Sequence, residues 1–133
     1  MPGQYTSHVD VFLHLHDGQK VLLALRCNTG YADEQWNLPS GKLDAGEHVL
    51  AAVLREGREE IGVHLDPAAV DLVAVLHFRS LEGVGRVGLV FRAVYDPAGH
   101  GKPLNAEPHK CAASPGLRRC AAGQHRPLHR RVR

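Results

Sequence analysis

Five carboxylates, Asp44, Glu47, Glu56, Glu59 and Glu60, fall within one short stretch that a glycine at Gly41 opens. At about 100° per residue, Leu50, Val53, Leu54, Gly57 and Ile61 share one helical stripe, the face that ordinarily meets a core. Glu56, Glu59 and Glu60 fall on the flank of that stripe, because positions three and four apart are neighbours on a helix. Like charges so placed repel by a few tenths of a kcal/mol per pair. A helix that needed only a soluble face would alternate its signs. An anionic flank beside a buried face suits a hard cation instead, since Mg²⁺ takes carboxylate oxygens at about 2.0–2.1 Å.

The spacing is more specific than the charge. From Gly41 there follow five residues, Glu47, seven residues, Arg55-Glu56, one residue, one residue, Glu59-Glu60, one residue, Gly62 and Val63. This pattern resembles the Nudix box, and the chain is identified by it as similar to the Nudix hydrolase family. One position departs: Gly57 stands where an aliphatic residue is usual. Glycine inside a helix costs roughly 1 kcal/mol against alanine, and we read Gly57 as a tolerated small residue rather than a device for close approach. Outside the box the resemblance extends to Arg26-Cys-Asn-Thr-Gly30 and Trp36-Asn-Leu-Pro39-Ser, and forward to about Lys110.

The resemblance implies a Mg²⁺-dependent hydrolase of diphosphate bonds, with Mn²⁺ as a substitute. Divalent cations bridge the diphosphate oxygens and neutralise charge that moves to the leaving group. It implies Glu56, Glu59 and Glu60 as metal and water-activating carboxylates, with Glu59 and Glu60 the principal ligands. Glu56 would bind a second metal or deprotonate the water. Arg55 would fix the carboxylates, through Glu59 one turn on. Gly41 and Ser40 would offer backbone carbonyls to metal at a tight turn, and Glu47 would close loop to helix. A further glutamate outside the box would complete the metal site, Glu107 first and Glu82 as the alternative.

The substrate expected from the resemblance is a small nucleotide: a nucleoside triphosphate or an oxidised nucleotide. Arg26, Tyr31, Trp36 and Phe78 are candidate pocket residues, although packing explains each aromatic as well. Two other functions stay open, a nucleotide-binding module without turnover and nucleic-acid binding through the tail.

These residues need elements to position them. Residues 8–16 and 20–26 are apolar-rich runs joined by Asp17-Gly18, a hairpin signal. Residues 27–35 read as a polar loop and 36–39 as a short strand entering the glycine loop. Residues 47–61 read as the helix, with Gly62 as its terminal glycine and no basic residue in the last turn. Residues 71–79 and 86–95 read as two more strands around a turn at 81–85, and 96–108 as a Pro- and Gly-rich loop. The fold class expected is α/β, an α/β/α sandwich around a mixed sheet, with its C-terminal part incomplete.

A chain of 133 residues with 44% apolar content supports one domain. No apolar run is long enough to span a membrane, and Met1-Pro-Gly-Gln-Tyr5 opens no basic-then-apolar leader, so a cytoplasmic monomer or homodimer is expected. Cys27, Cys111 and Cys120 are odd in number and far apart, which argues against a disulfide framework or a zinc site. His14 and His16 read as ordinary strand residues.

The net charge of +2 hides an asymmetry: residues 1–111 carry 10 Lys/Arg against 14 Asp/Glu, and residues 112–133 carry 6 Arg and no acid. The hydrolase domain is therefore placed at 1–111, with 112–133 an atypical basic tail of weak structure that adds little to the core. As a nucleic-acid arm it lacks interleaved aromatics for base stacking. It can also be read as an out-of-frame stretch. Codons for residues 120–130, shifted by one nucleotide, permit Ala-Leu-Pro-Ala-Ser-Thr-Val-Pro-Tyr-Ile-Ala.

Overall fold

Alternation of apolar and polar side chains over His8–His16 makes strand β1, with Val11, Leu13 and Leu15 fully buried on one face. The computed structural model describes residues 3–25, 36–101, 103 and 116–119, with Leu25 and 116–119 described by backbone alone. A three-residue turn leads from β1 into β2 (Lys20–Leu25). Gly18 supplies its positive φ of 95°, and Asp17 Oδ1 accepts from the N–H groups of Gln19 and Lys20.

Next come β3 (Trp36–Asn37) and β4 (Ser40–Lys42), then helix α1 (Val49–Ile61) and a short 3₁₀ turn (Pro67–Ala69). Strands β5 (Asp71–Arg79) and β6 (Gly85–Val94) form a hairpin. A one-turn helix α2 (Pro97–His100) and strand β7 (Gly116–Arg119) follow.

Among the described residues seven strands form one mixed sheet, ordered β3-β2-β1-β6-β5, with β4 added to β1 and β7 to β2. The parallel pair is β1 with β6, in register from His8↔Arg86 to His16↔Val94. On its other side β1 is shared: its first half pairs antiparallel with β4, and His16 pairs with Val21 of β2. Helix α1 packs on β1 and β4. Its Val53 and Ile61 join Val11, Leu13, Leu15, Leu22, Val63 and Phe91 in one core.

The strands expected at 8–16, 20–26, 71–79 and 86–95 are present within a residue at each described end. The helix begins at Val49 rather than residue 47, after His48, which makes no side-chain cap. Gly62 ends it in the left-handed conformation (φ 67°), donating to Arg58 O. A basic residue is present in the last turn after all, Arg58.

Two expectations are corrected. Ser40 and Gly41 lie in strand β4, not in a tight turn, because their backbone pairs with Val11 and Phe12 of β1. The loop expected at 96–108 opens with α2, capped by Asp96, whose carboxylate accepts from Ala98 N–H. Within the basic tail, Gly116–Arg119 forms β7, which pairs antiparallel with β2 from Lys20↔Arg119 to Leu23↔Gly116. Arg26, Tyr31, the three cysteines and Glu107 lie outside the described residues.

Candidate functional site

The buried face of α1 is turned slightly from the stripe that the apolar residues suggest. Ala52, Val53, Glu56, Gly57 and Ile61 are buried, while Leu50 and Leu54 are half-buried against the core. Glu56 is therefore not on a solvated flank: it is 8% exposed, a carboxylate inside the helix–sheet interface. Glu59 is exposed and Glu60 half-buried.

Glu56 packs on β4. A Cβ at Gly41 would stand 1.9 Å from its Oε1, so no residue but glycine leaves room for that carboxylate. One residue earlier, Ser40 N–H donates to Glu60 Oε2 at 3.0 Å. Two of the three helix glutamates thus rest on adjacent residues of one short strand.

Arg55 organises the rest. Its Nε and NH2 donate to the two oxygens of Glu47 at 2.8 and 3.0 Å, a bidentate pair. Its NH1 donates to Glu56 Oε1 at 2.7 Å and to Glu59 Oε2 at 3.1 Å, and NH2 also reaches Lys42 O at 3.1 Å. Asp44 lies 3.5 Å away. The Glu47 hydrogen bonds raise the guanidinium's affinity for its proton, burial opposes this, and Glu56 adds to it. In return, hydrogen bonding from Arg55 holds the Glu47 carboxyl below its ordinary range, helped by Asp44 N–H. The expected contact of Arg55 with Glu59 is present, joined by contacts to Glu47 and Glu56, and Glu47 ties the loop to the helix through Asp44 N–H.

Four carboxylates around one guanidinium, with Glu60 beside them on Ser40, leave an excess of negative charge. Glu56, Glu59 and Glu60 are hard oxygen donors on one side of α1, and Glu56 and Glu59 touch the same nitrogen of Arg55. Their chemistry fits a hard divalent cation. Among the described residues, however, no group of three or more His, Cys, Asp or Glu converges in a cation-holding arrangement; Arg55 gathers the carboxylates instead.

Glu82, the alternative extra ligand, stands in the β5–β6 turn, and β6 separates β5 from β1. Its own backbone N–H, and then the Ser80 hydroxyl, hold its carboxyl below the ordinary range. Of the candidate pocket aromatics, Trp36 is 38% exposed and Phe78 is buried.

Sequence reasoning gave no role to two further polar features. Asp10, buried on β1, takes a bidentate pair from Arg86 of β6 at 2.6 and 2.7 Å. The signal available was an acid in the middle of an apolar strand, His-Val-Asp-Val-Phe. Asn37 is 7% exposed, and among the described residues its Nδ2 has no hydrogen-bond partner. It lies three residues before Ser40.

A family model described as the NUDIX domain matches residues 4–114. The RNA pyrophosphohydrolase of Acidiphilium cryptum (strain JF-5) is 48% identical over 59 residues, 44% of this chain and 35% of that protein. The chain spans about a third of the length of the curated relatives it matches. The MutT NUDIX hydrolase from Burkholderia pseudomallei superposes with a TM-score of 0.74 at 28% identity, over 85% of this chain and 83% of that one. The NUDIX domain of Shewanella oneidensis NrtR, complexed with ADP ribose, shares the fold at a TM-score of 0.68 and 20% identity, over 87% and 75% of the two chains. No helix among the described residues is long and apolar enough to cross a membrane.

Proposed function

The chain belongs to the Nudix hydrolase family, and we propose that it is a divalent-cation-dependent pyrophosphohydrolase acting on a nucleoside diphosphate joined to a further group. The preferred substrate in this reading is a nucleoside triphosphate or an oxidised nucleotide. The observation that carries it is the buried Glu56 carboxylate, seated against Gly41 and ion-paired to Arg55. A buried charge is expensive unless it is paired, and a helix built only for solubility would put it outside.

Glu59 and Glu60, with Glu56 and the Gly41 carbonyl, would hold Mg²⁺ or Mn²⁺. When bound, the cation would neutralise charge developing on the diphosphate oxygens. Glu56 is the group proposed to accept a proton from the attacking water, since its seat between Gly41 and Arg55 holds the carboxylate in place. Arg55 does not contact substrate in this scheme. It holds Glu47, Glu56 and Glu59 at fixed angles, as a planar fork can and an ammonium cannot. Glu107 remains the proposed further ligand. The Asn37 amide is a buried donor on the segment leading into β4, and it suits a nucleobase acceptor.

A second reading has RNA as the substrate, because relatives are named RNA pyrophosphohydrolases. One experiment addresses both. Phosphate and pyrophosphate release is measured over nucleoside triphosphates, oxidised nucleotides and 5′-triphosphorylated RNA, and release of phosphomonoesters over nucleotide sugars, with Mg²⁺ or Mn²⁺. Release from a mononucleotide supports the first reading, and release from RNA alone supports the second. Nucleotide binding with no release from any substrate would make the chain a binding module.

A further inference from the structure

Strand β4 is matched to α1 residue by residue. Leu13 N–H donates to Pro39 O at 2.8 Å, and Leu43 N–H donates to Val9 O at 2.9 Å. Hydrogen-bonded and non-hydrogen-bonded pairs alternate along an antiparallel ladder, and the register sets Phe12 against Ser40 and Asp10 against Lys42. Both of these pairs fall between the bonded positions. Ser40 and Lys42 therefore turn their N–H and C=O groups away from β1. Among the described residues no strand pairs with that outer edge, and side chains of α1 meet it instead. Ser40 N–H donates to Glu60 Oε2 at 3.0 Å, and Lys42 O accepts from Arg55 at 3.1 Å. Gly41 between them leaves the space that Glu56 fills. Three consecutive strand residues each hold one side chain of the acidic cluster.

We propose that Ser40 is a positioning residue for cation binding, acting through its backbone N–H on the Glu60 carboxylate. A glutamate side chain loses rotamer freedom whenever it is fixed. A hydrogen bond from the strand to one carboxylate oxygen makes that loss part of folding, before any cation is bound, and hydrogen bonds to a charged acceptor are the strong ones. Arg55 orders Glu47, Glu56 and Glu59, and the Ser40 amide extends that order to Glu60. The role belongs to the amide, so the hydroxyl is dispensable. Proline is the one residue that removes the donor, and an edge strand accepts it where the N–H faces away from the ladder. The inference rests on the proposed reading of Glu60 as a metal ligand.

The test is Mn²⁺ binding to the full chain, read from the electron paramagnetic resonance of free Mn²⁺, with circular dichroism as a check of folding. Ser40→Pro should weaken binding by about 10- to 100-fold, the usual cost of losing a group that orients a metal ligand. Ser40→Ala keeps the amide and should bind Mn²⁺ as the wild type does. In a Glu60→Ala background, Ser40→Pro should change affinity by less than about 2-fold, since both act through one bond. Hydrogen exchange of the Ser40 amide, followed by NMR, needs no proline variant. The amide should be protected in the wild type and released in Glu60→Ala. Wild-type affinity in Ser40→Pro, an equal loss with and without Glu60, or a freely exchanging Ser40 amide would each overturn the proposal. A wild type that binds no Mn²⁺ although its Ser40 amide is protected would overturn it through the reading of the site instead.

Discussion

Glu56 and Gly41 are a matched pair: the carboxylate occupies the space where any other residue at position 41 would carry its Cβ. Two substitutions therefore test one role from opposite sides. Glu56→Gln keeps the shape and removes the charge, and turnover should fall by about 10²–10⁴-fold if the group is a general base. Gly41→Ala leaves the carboxylate chemically intact but puts a carbon 1.9 Å from its Oε1. The side chain must move, and turnover should fall comparably while circular dichroism stays native. The check is steady-state turnover at saturating Mg²⁺ on the best substrate of the release screen. A near-wild-type rate in Glu56→Gln would remove Glu56 from the chemistry. The same rate in Gly41→Ala would mean that its exact seat does not matter.

At the scale of elements, α1 and the β1–β2 hairpin each yield a prediction. Gly57 is buried, and a Cβ there would meet Val63 O at 3.4 Å, Leu13 Cδ2 at 3.5 Å and Leu65 Cδ1 at 3.8 Å, ordinary contact distances. Gly57→Ala should therefore stabilise the fold by about 0.5–1 kcal/mol, which thermal unfolding would record as a rise of roughly 2–5 °C. A fall would show that the helix needs glycine's close approach. In the hairpin, the N–H groups of Gln19 and Lys20 hold the Asp17 carboxyl below its ordinary value of 3.8. A depressed carboxyl contributes stability that is fully present above the unfolded value and is lost as pH falls through the folded one. The hairpin's share should thus persist down to about pH 3.8 and fade below it. Titration of the Asp17 carboxyl carbon by NMR checks this, and a midpoint at or above 3.8 would refute it.

The same elements show what the amino-acid order made legible. Strand β1 and the helix could be read because each has one dominant period, two for His8–His16 and 3.6 for Val49–Ile61, set by a single buried face. Strand β4 could not. Ser40, Gly41 and Lys42 carry no apolar pattern, and their strand exists because β1 offers them an edge. Helical spacing alone puts Glu56 on the flank with Glu59 and Glu60, and a lone carboxylate would prefer solvent. Arg55 and the space over Gly41 reverse that preference, and both are tertiary facts. The Asp10–Arg86 pair joins residues 76 apart in sequence, across strands whose parallel register no local signal specifies.

Across the whole molecule the charge is divided, and so is the covering of the sheet. Residues 1–111 hold every acid, and residues 112–133 hold six arginines and none. Such a composition suggests a dispensable tail, yet Gly116–Arg119 adds a strand to β2 from Lys20 to Leu23. Without it, β2 would present unpaired backbone groups along a run that reads Lys-Val-Leu-Leu-Ala-Leu, an apolar edge of the kind that associates. Deleting residues 112–133 should therefore cost about 1–2 kcal/mol, the net worth of a few ladder hydrogen bonds. That corresponds to a melting temperature lower by roughly 3–10 °C. The site on α1 draws on residues 40–60 and should retain the proposed hydrolase activity below that temperature, unless Glu107, three positions before Lys110, depends on the tail for its place. Thermal unfolding and turnover on the same truncated protein separate these outcomes. An unchanged melting temperature would mean that β7 adds nothing to the fold, and a protein that no longer folds would make the basic segment part of the core.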